Sequence, residues 1–147
     1  MDEKETTELA KAIAADCIAL RVRFVNRVIT GLYERALKPL DIKIGQASIL
    51  VVLSVRGESS PADVGRLLRM EKSTVSRNVG RMRKKGWVEV AGRDDRLSQV
   101  ITVTPKGREL LAAFYGGWAK AQEAASGLLG EEGVLSVRAL YDALRDG

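Results

Sequence analysis

The sequence contains no histidine and a single cysteine, Cys17. Without an imidazole, a nucleophile–histidine pair cannot be assembled, and one thiol makes neither a usual zinc site nor an internal disulfide. A lone thiol fits a reducing cytoplasm, which is the expected location, and neither a cofactor nor a metal is expected. No run of eighteen apolar residues occurs, and the N-terminus, MDEKETTELAK, is acidic where a secretory signal would be basic and then apolar. Neither a membrane span nor an export signal is expected. With no acid–base or nucleophilic constellation in view, the composition argues against an enzyme.

What the chain does have is 46% hydrophobic residues in a length of 147, enough for one domain with a packed core. It also has positive charge gathered in one place. Between Arg66 and Arg96 there are ten Lys or Arg against four Asp or Glu, a balance of +6, while the whole chain is only +5. The remainder is therefore close to neutral, and a polyanion docking at this one module is the simplest account.

Within that module, ADVGRLLRMEKSTVSRNVGRMRKKGWVEVAGRDDR reads as two short helices joined by a tight turn, then a strand and a charged loop. The second helix is expected over about 72–85. At 100° per residue Val75, Val79 and Met82 fall on one narrow face, and Ser73, Arg77, Arg81 and Lys84 on the other. The apolar side holds the helix to a core and the polar side is left to read. Arginine offers a bidentate fork to a guanine edge or a phosphate, and small hydroxyl residues such as Ser73, Thr74 and Ser76 let a helix enter the major groove closely. Gly80, also on the outer side, either permits close backbone approach or is a tolerated defect costing about 1 kcal/mol. An ordinary solvated helix surface is the plainer reading of the same charges.

After Gly86, WVEVAG alternates as a half-buried strand and QVITVT supplies its partner, with GRDDRLS between them. A hairpin tip with Arg93 and Arg96 suits a narrow groove, where negative potential is strongest. Asp94 and Asp95 can orient the arginines by charge-assisted hydrogen bonds.

The run MEKSTVSRNVGRMRKKGWVEV, the wing Asp94–Asp95–Arg96 and the following VTPKG resemble the winged-helix regulators of the multiple-antibiotic-resistance (MarR) family, and the likeness extends over nearly the whole chain. It departs in one place: the typical wing arginine lies seven residues before the threonine that opens the next helix, where this chain has Leu97, and Arg96 lies eight before Thr104. The resemblance implies a mainly α fold with a small β-hairpin wing, a winged helix-turn-helix over 42–104, and dimerisation helices over 7–38 and 105–146. It further implies a homodimer on a palindromic double-stranded operator, acting as a repressor. Relief by a small aromatic or phenolic effector in the crevice between the domains, or by an oxidant, belongs to the same expectation. A winged helix serving nucleoid architecture or protein contact, without sequence preference, stays open beside it.

The flanks fit that plan. From Thr7 to Leu37 the chain reads as one helix with Leu9, Ile13, Cys17, Leu20, Phe24, Val28 and Leu32 recurring every three or four residues, ended by Lys38–Pro39. Thirty residues span about 45 Å, longer than a small domain needs, so part of the stripe is expected to meet a second subunit. A helix over about 45–56 carries ILVVL, should be buried, and stops at Gly57; with Lys43 where the family places Ser or Thr, a frayed start is expected. Ser60–Pro61 and Thr104–Pro105 each read as a cap followed by proline at the first helical position. The inward face of the third helix is Val64, Leu67 and Leu68. The helix from Pro105 runs to about Leu129 with a kink or close contact at Gly116–Gly117, and after Gly130 a last amphipathic helix runs from Glu131 to Leu144. Phe24, Tyr33 and Trp118 are candidates for an effector crevice, although aromatics at helical spacing more commonly belong to a core. Cys17 carries two readings: a core residue of the stripe, or a redox sensor whose thiolate Arg21, one turn away, would favour.

Overall fold

A computed structural model describes residues 2–92 and 98–147. Its elements in chain order are α1 (Glu3–Asp16), α2 (Ile18–Leu37), a 3₁₀ turn (Lys38–Leu40), α3 (Ile44–Arg56), β1 (Glu58–Ser59), α4 (Pro61–Leu68), α5 (Lys72–Lys84), β2 (Val88–Ala91), β3 (Val100–Val103) and α6 (Pro105–Arg145). The fold is mainly helical with a small antiparallel sheet, as expected. That sheet has a third strand: β1 pairs the far edge of β3, with Ser59 opposite Ile101, while β2 pairs the other edge with Val90 opposite Ile101. A two-residue strand is too short to carry a period of two, so the sequence gives no sign of it.

Around this sheet α3, α4 and α5 close a core in which Ile49, Leu50, Leu53, Val64, Val75 and Met82 lose essentially all contact with water. Each such side chain contributes roughly 1.5–3 kcal/mol from burial. The expectation that ILVVL is wholly buried is corrected. Ile49, Leu50 and Leu53 point inward, but Val51 lies on the outer side of α3, 43% exposed, as does Val55 just beyond the run. Likewise Val64 is buried and Leu68 half-buried, whereas Leu67 points outward. A helix has one inner face, and an apolar run longer than that face must leave part of itself outside.

Caps define the ends of these helices. Lys43 does not leave α3 frayed, because the Gln46 side-chain oxygen accepts from the Lys43 N–H at 3.1 Å. At the other end α3 stops at Gly57 as expected, with a positive φ of 83° but a ψ of −46° outside the left-handed helical region, and the Gly57 N–H donates to the Leu53 carbonyl. Ser60 and Thr104 accept from Asp63 N–H and Gly107 N–H respectively, each with proline at the next position.

The first helix is two. Asp2 caps α1 by accepting from Glu5 N–H at 2.7 Å, so helix begins earlier than expected, and at Cys17 the backbone is extended (φ −63°, ψ 110°) before α2 starts. Periodicity cannot signal this break, because the apolar spacing Ile13–Cys17–Leu20 continues through it. Arg21 donates to the exposed Ala15 carbonyl across the break. α2 packs along α6. There Gly117 is the close contact, since a Cβ would lie 3.1 Å from the Ala36 carbonyl oxygen, while a Cβ on Gly116 would meet nothing. α6 breaks at Gly130 (φ 68°, ψ 173°), where the sequence placed the end of one helix and the start of the next.

Candidate nucleic-acid interface

Helix α5 is held from beneath by Val75, Val79 and Met82, all buried. The opposite side presents Ser73, Arg77, Arg81 and Lys84 to solvent, as the spacing predicts, and Ser76 is exposed on the flank. Thr74 departs from that set. It sits half-buried on the flank it shares with Asn78, towards α3, where Asn78 Nδ2 lies 3.7 Å from the position of a Cβ on Gly45. A Cβ on Gly80 would meet nothing within 4 Å, so its outer surface is open backbone. Arg93 and Arg96 lie outside the described residues.

The far end of α5 is fixed by a double hydrogen-bonded turn. Gly86, at φ 76°, lets its own N–H reach the Arg83 carbonyl at 2.9 Å and the Trp87 N–H reach Met82 at 3.0 Å. The Thr104 hydroxyl donates to the Gly86 carbonyl at 2.6 Å while capping α6, and the Thr104 N–H donates to the Trp87 carbonyl at 3.1 Å. Gly107 lies so close that a Cβ there would collide with the Trp87 carbonyl oxygen and stand 2.8 Å from Val103 Cγ1. Reading helix, sheet and long helix are thus joined at one small knot.

Lys85 is part of that fixing although it continues the basic run. Its ammonium pairs with the Asp41 carboxylate, donates to the Asp41 carbonyl at 2.8 Å and lies 4.7 Å above the Trp87 ring. The hydrogen bond and charge of Lys85 hold the Asp41 carboxyl below its ordinary pKa. Asp63, at the start of α4, is lowered in the same way by hydrogen bonds from Arg66 and Ser60.

Arg69 is a residue that the pattern did not single out. It occupies the left-handed conformation (φ 51°) in the turn between α4 and α5, where glycine is the usual solution, at a cost of about 1–2 kcal/mol. Its guanidinium donates to the Leu144 carbonyl at 3.2 Å and to the Gly147 carbonyl at 3.0 Å. The turn of the reading head is therefore tied to the end of the chain. Only the fold brings these residues together, 75 and 78 positions apart.

Between α2, α3, α4 and α6 is a crevice of about 500 Å³, lined by Tyr33, Leu37, Leu68, Phe114, Trp118 and Tyr141 among others. Tyr33 and Trp118 are there as expected, and neither is core: Tyr33 is half-buried, its hydroxyl donating to Gln122 Oε1 at 2.6 Å, and burial pushes the phenol's pKa up. Phe24 does not reach the crevice and is 68% exposed. The aromatics that fill the core are Trp87 and Phe114. Cys17 is half-buried at the α1–α2 break, with the Arg21 guanidinium bonded to the Ala15 carbonyl.

A sequence model of the MarR family matches residues 40–96, the segment that contains α3 to α5 and β2. The same segment and its flanks superpose on a cysteine-to-serine mutant of MarR from E. coli in complex with operator DNA, with a TM-score of 0.78 and 19% identity over 90% of this chain and 96% of that one. Residues 40–96 thus match the MarR family, and the fold around them is that of MarR. Among curated relatives, the multiple antibiotic resistance protein MarR of Salmonella typhimurium is 26% identical over 105 residues, 71% of this chain and 72% of that protein. An uncharacterized HTH-type transcriptional regulator of Bacillus subtilis, YdgG, is 32% identical over 69 residues, 45% of each chain. That last alignment spans under half of either protein, whereas the structural likeness runs nearly from end to end.

Proposed function

We propose that this chain is a dimeric transcriptional regulator of the MarR type that binds double-stranded DNA sequence-specifically and represses by obstruction. One observation carries this reading: α5 buries Val75, Val79 and Met82 and turns Ser73, Arg77, Arg81 and Lys84 outward, on a module that concentrates the chain's positive charge. In a two-fold dimer two such helices, spaced by one DNA turn of about 34 Å, would address an imperfect palindrome. Arg93 and Arg96 are assigned to the adjacent groove. The bare apolar faces of α1, α2 and the last part of α6 supply the dimer surface.

Regulation follows from the crevice. A ligand wedged between Tyr33, Trp118 and Leu68 changes the angle of the reading head, and the half-site distance changes with it. A small aromatic or phenolic molecule fits this lining. Cys17 as an oxidant sensor is the rival signal, and equal derepression by hydroperoxide in wild type and Cys17→Ser would remove it.

The decisive experiment is a fluorescence-anisotropy titration against upstream DNA and scrambled DNA across a salt series. A preference of about a thousandfold is expected. Arg77→Ala should lose about 1–3 kcal/mol on the cognate site and relax its base preference. Equal affinity for both DNAs with a steep salt slope would instead favour an architectural role, and no binding would favour protein contact.

A further inference from the structure

Helices α1 and α2 carry apolar stripes that their own chain leaves bare. Every residue of α1 is exposed. At 100° per residue, Leu9 and Ile13 share a face with Thr6 and Ala10, bordered by Glu5 and Asp16 on one side and Glu3 on the other. Lys4 and Lys11 fall on the opposite side. On α2 the face turned away from α6 carries Leu20, Phe24 and Val28 at intervals of four, all exposed. Arg21 and Arg27 border this stripe and Arg35 continues its line. One helix thus offers an acid-edged apolar stripe, and the next a base-edged one.

The two stripes cannot meet within one chain. Only Cys17 separates the helices, and antiparallel pairing of neighbouring helices takes a connection of two to five residues. We propose that α1 of one copy packs along the Leu20–Phe24–Val28 stripe of α2 in a second copy, its Glu5 and Asp16 facing the arginines that border that stripe. A two-fold axis makes the pairing reciprocal, so each dimer has two such seams. The apolar centre holds the helices together, and the flanking charges select the partner and the register, as charged flanks do in paired helices generally. This inference rests on the dimer reading and adds which helices meet and why they choose one another.

Two full-length variants test it: Glu5→Arg/Asp16→Arg, which makes α1 basic-edged, and Arg27→Glu/Arg35→Glu, which makes α2 acid-edged and leaves the Arg21–Ala15 bond intact. All four positions are exposed, and unchanged circular dichroism checks that the fold survives. Each variant alone places like charges along both seams, and its dimer dissociation constant should rise roughly tenfold or more. Mixed in equal amounts, the two satisfy both seams at once, so native mass spectrometry should show heterodimer well above the half that random exchange gives. If both variants dimerise like wild type and exchange at random, the pairing is wrong while the dimer stands. Weakened variants that the mixture does not restore overturn it equally, since their charges then act elsewhere. A wild-type chain that stays monomeric at every concentration removes the dimer reading itself.

Discussion

The reading lobe and the helices that flank it use apolar residues in opposite ways. In the lobe, Leu50, Val64, Val75 and Met82 are sealed from water by α3, α4, α5 and the sheet of the same chain. In the flanks, Ile18, Phe24, Leu140 and Leu144 are each more than half exposed. The lobe core is closed by its own chain, whereas these flank residues are left uncovered by it. The same 46% hydrophobic content therefore stands for two different situations, one in which burial is realised on folding and one in which the chain alone leaves it unrealised.

A pair of truncations breaks or upholds this comparison most directly. Leu50→Ala should cost about 2–5 kcal/mol, because it opens a cavity in a closed core, and should lower the melting temperature at every protein concentration. Leu140→Ala should leave the melting temperature of a dilute sample nearly unchanged and act mainly at high concentration, where association contributes. A concentration-independent loss at Leu140 as large as that at Leu50 would mean that the flank is core after all.

Glycines sharpen the comparison at the next level of magnitude. Gly107→Ala sets a Cβ against the Trp87 carbonyl and Val103, so the knot joining α5, the sheet and α6 must shift, at about 1–3 kcal/mol. Gly80→Ala meets nothing and replaces a poor helix former inside α5, which should raise stability by up to about 1 kcal/mol. If the open backbone at Gly80 lies against DNA, that same stabilised variant binds its operator more weakly. A variant both more stable and equally tight would show Gly80 to be merely tolerated.

How far the sequence could be read follows the same division. Helix α5 was legible because its two faces are chemically distinct and narrow, so one angular test separates Met82 from Arg81. The caps at Ser60 and Thr104 were legible because a hydroxyl followed by proline has few other uses. The Cys17 break was not, since the stripe runs on undisturbed through it, nor was β1, which is two residues long. Val51 and Leu67 were assigned inward on the strength of their neighbours alone. Arg69 could not have been found from local pattern, because its partners are carbonyls at the other end of the chain, and any residue supplies a carbonyl. Distance along the chain hides a site more effectively than unusual chemistry does.

The smallest expected effect lies at the join between the two regions. Asp41 follows the turn that ends α2, and Lys85 follows α5, so their ion pair ties flank to lobe. Lys85 holds the folded-state pKa of Asp41 below its unfolded value, which is near 3.9. A carboxyl lowered on folding contributes stability that is fully present above the unfolded pKa and is lost as pH falls through the folded one. The melting temperature of wild type should therefore fall on acidification below about pH 4 more steeply than that of Asp41→Asn, which keeps a side chain tolerant of the left-handed backbone there (φ 53°) but cannot titrate. Asp63 stays in both proteins and its own acid loss is common to the two curves, so only the difference in slope reports on Asp41. Both partners are solvent-exposed, and added salt should shrink that difference. Parallel curves at low salt would mean that the pair contributes nothing, and that the lobe is held to its flank by the Thr104–Gly86 knot, the packing of α3 against α2 and α6, and the Arg69 bonds to Leu144 and Gly147.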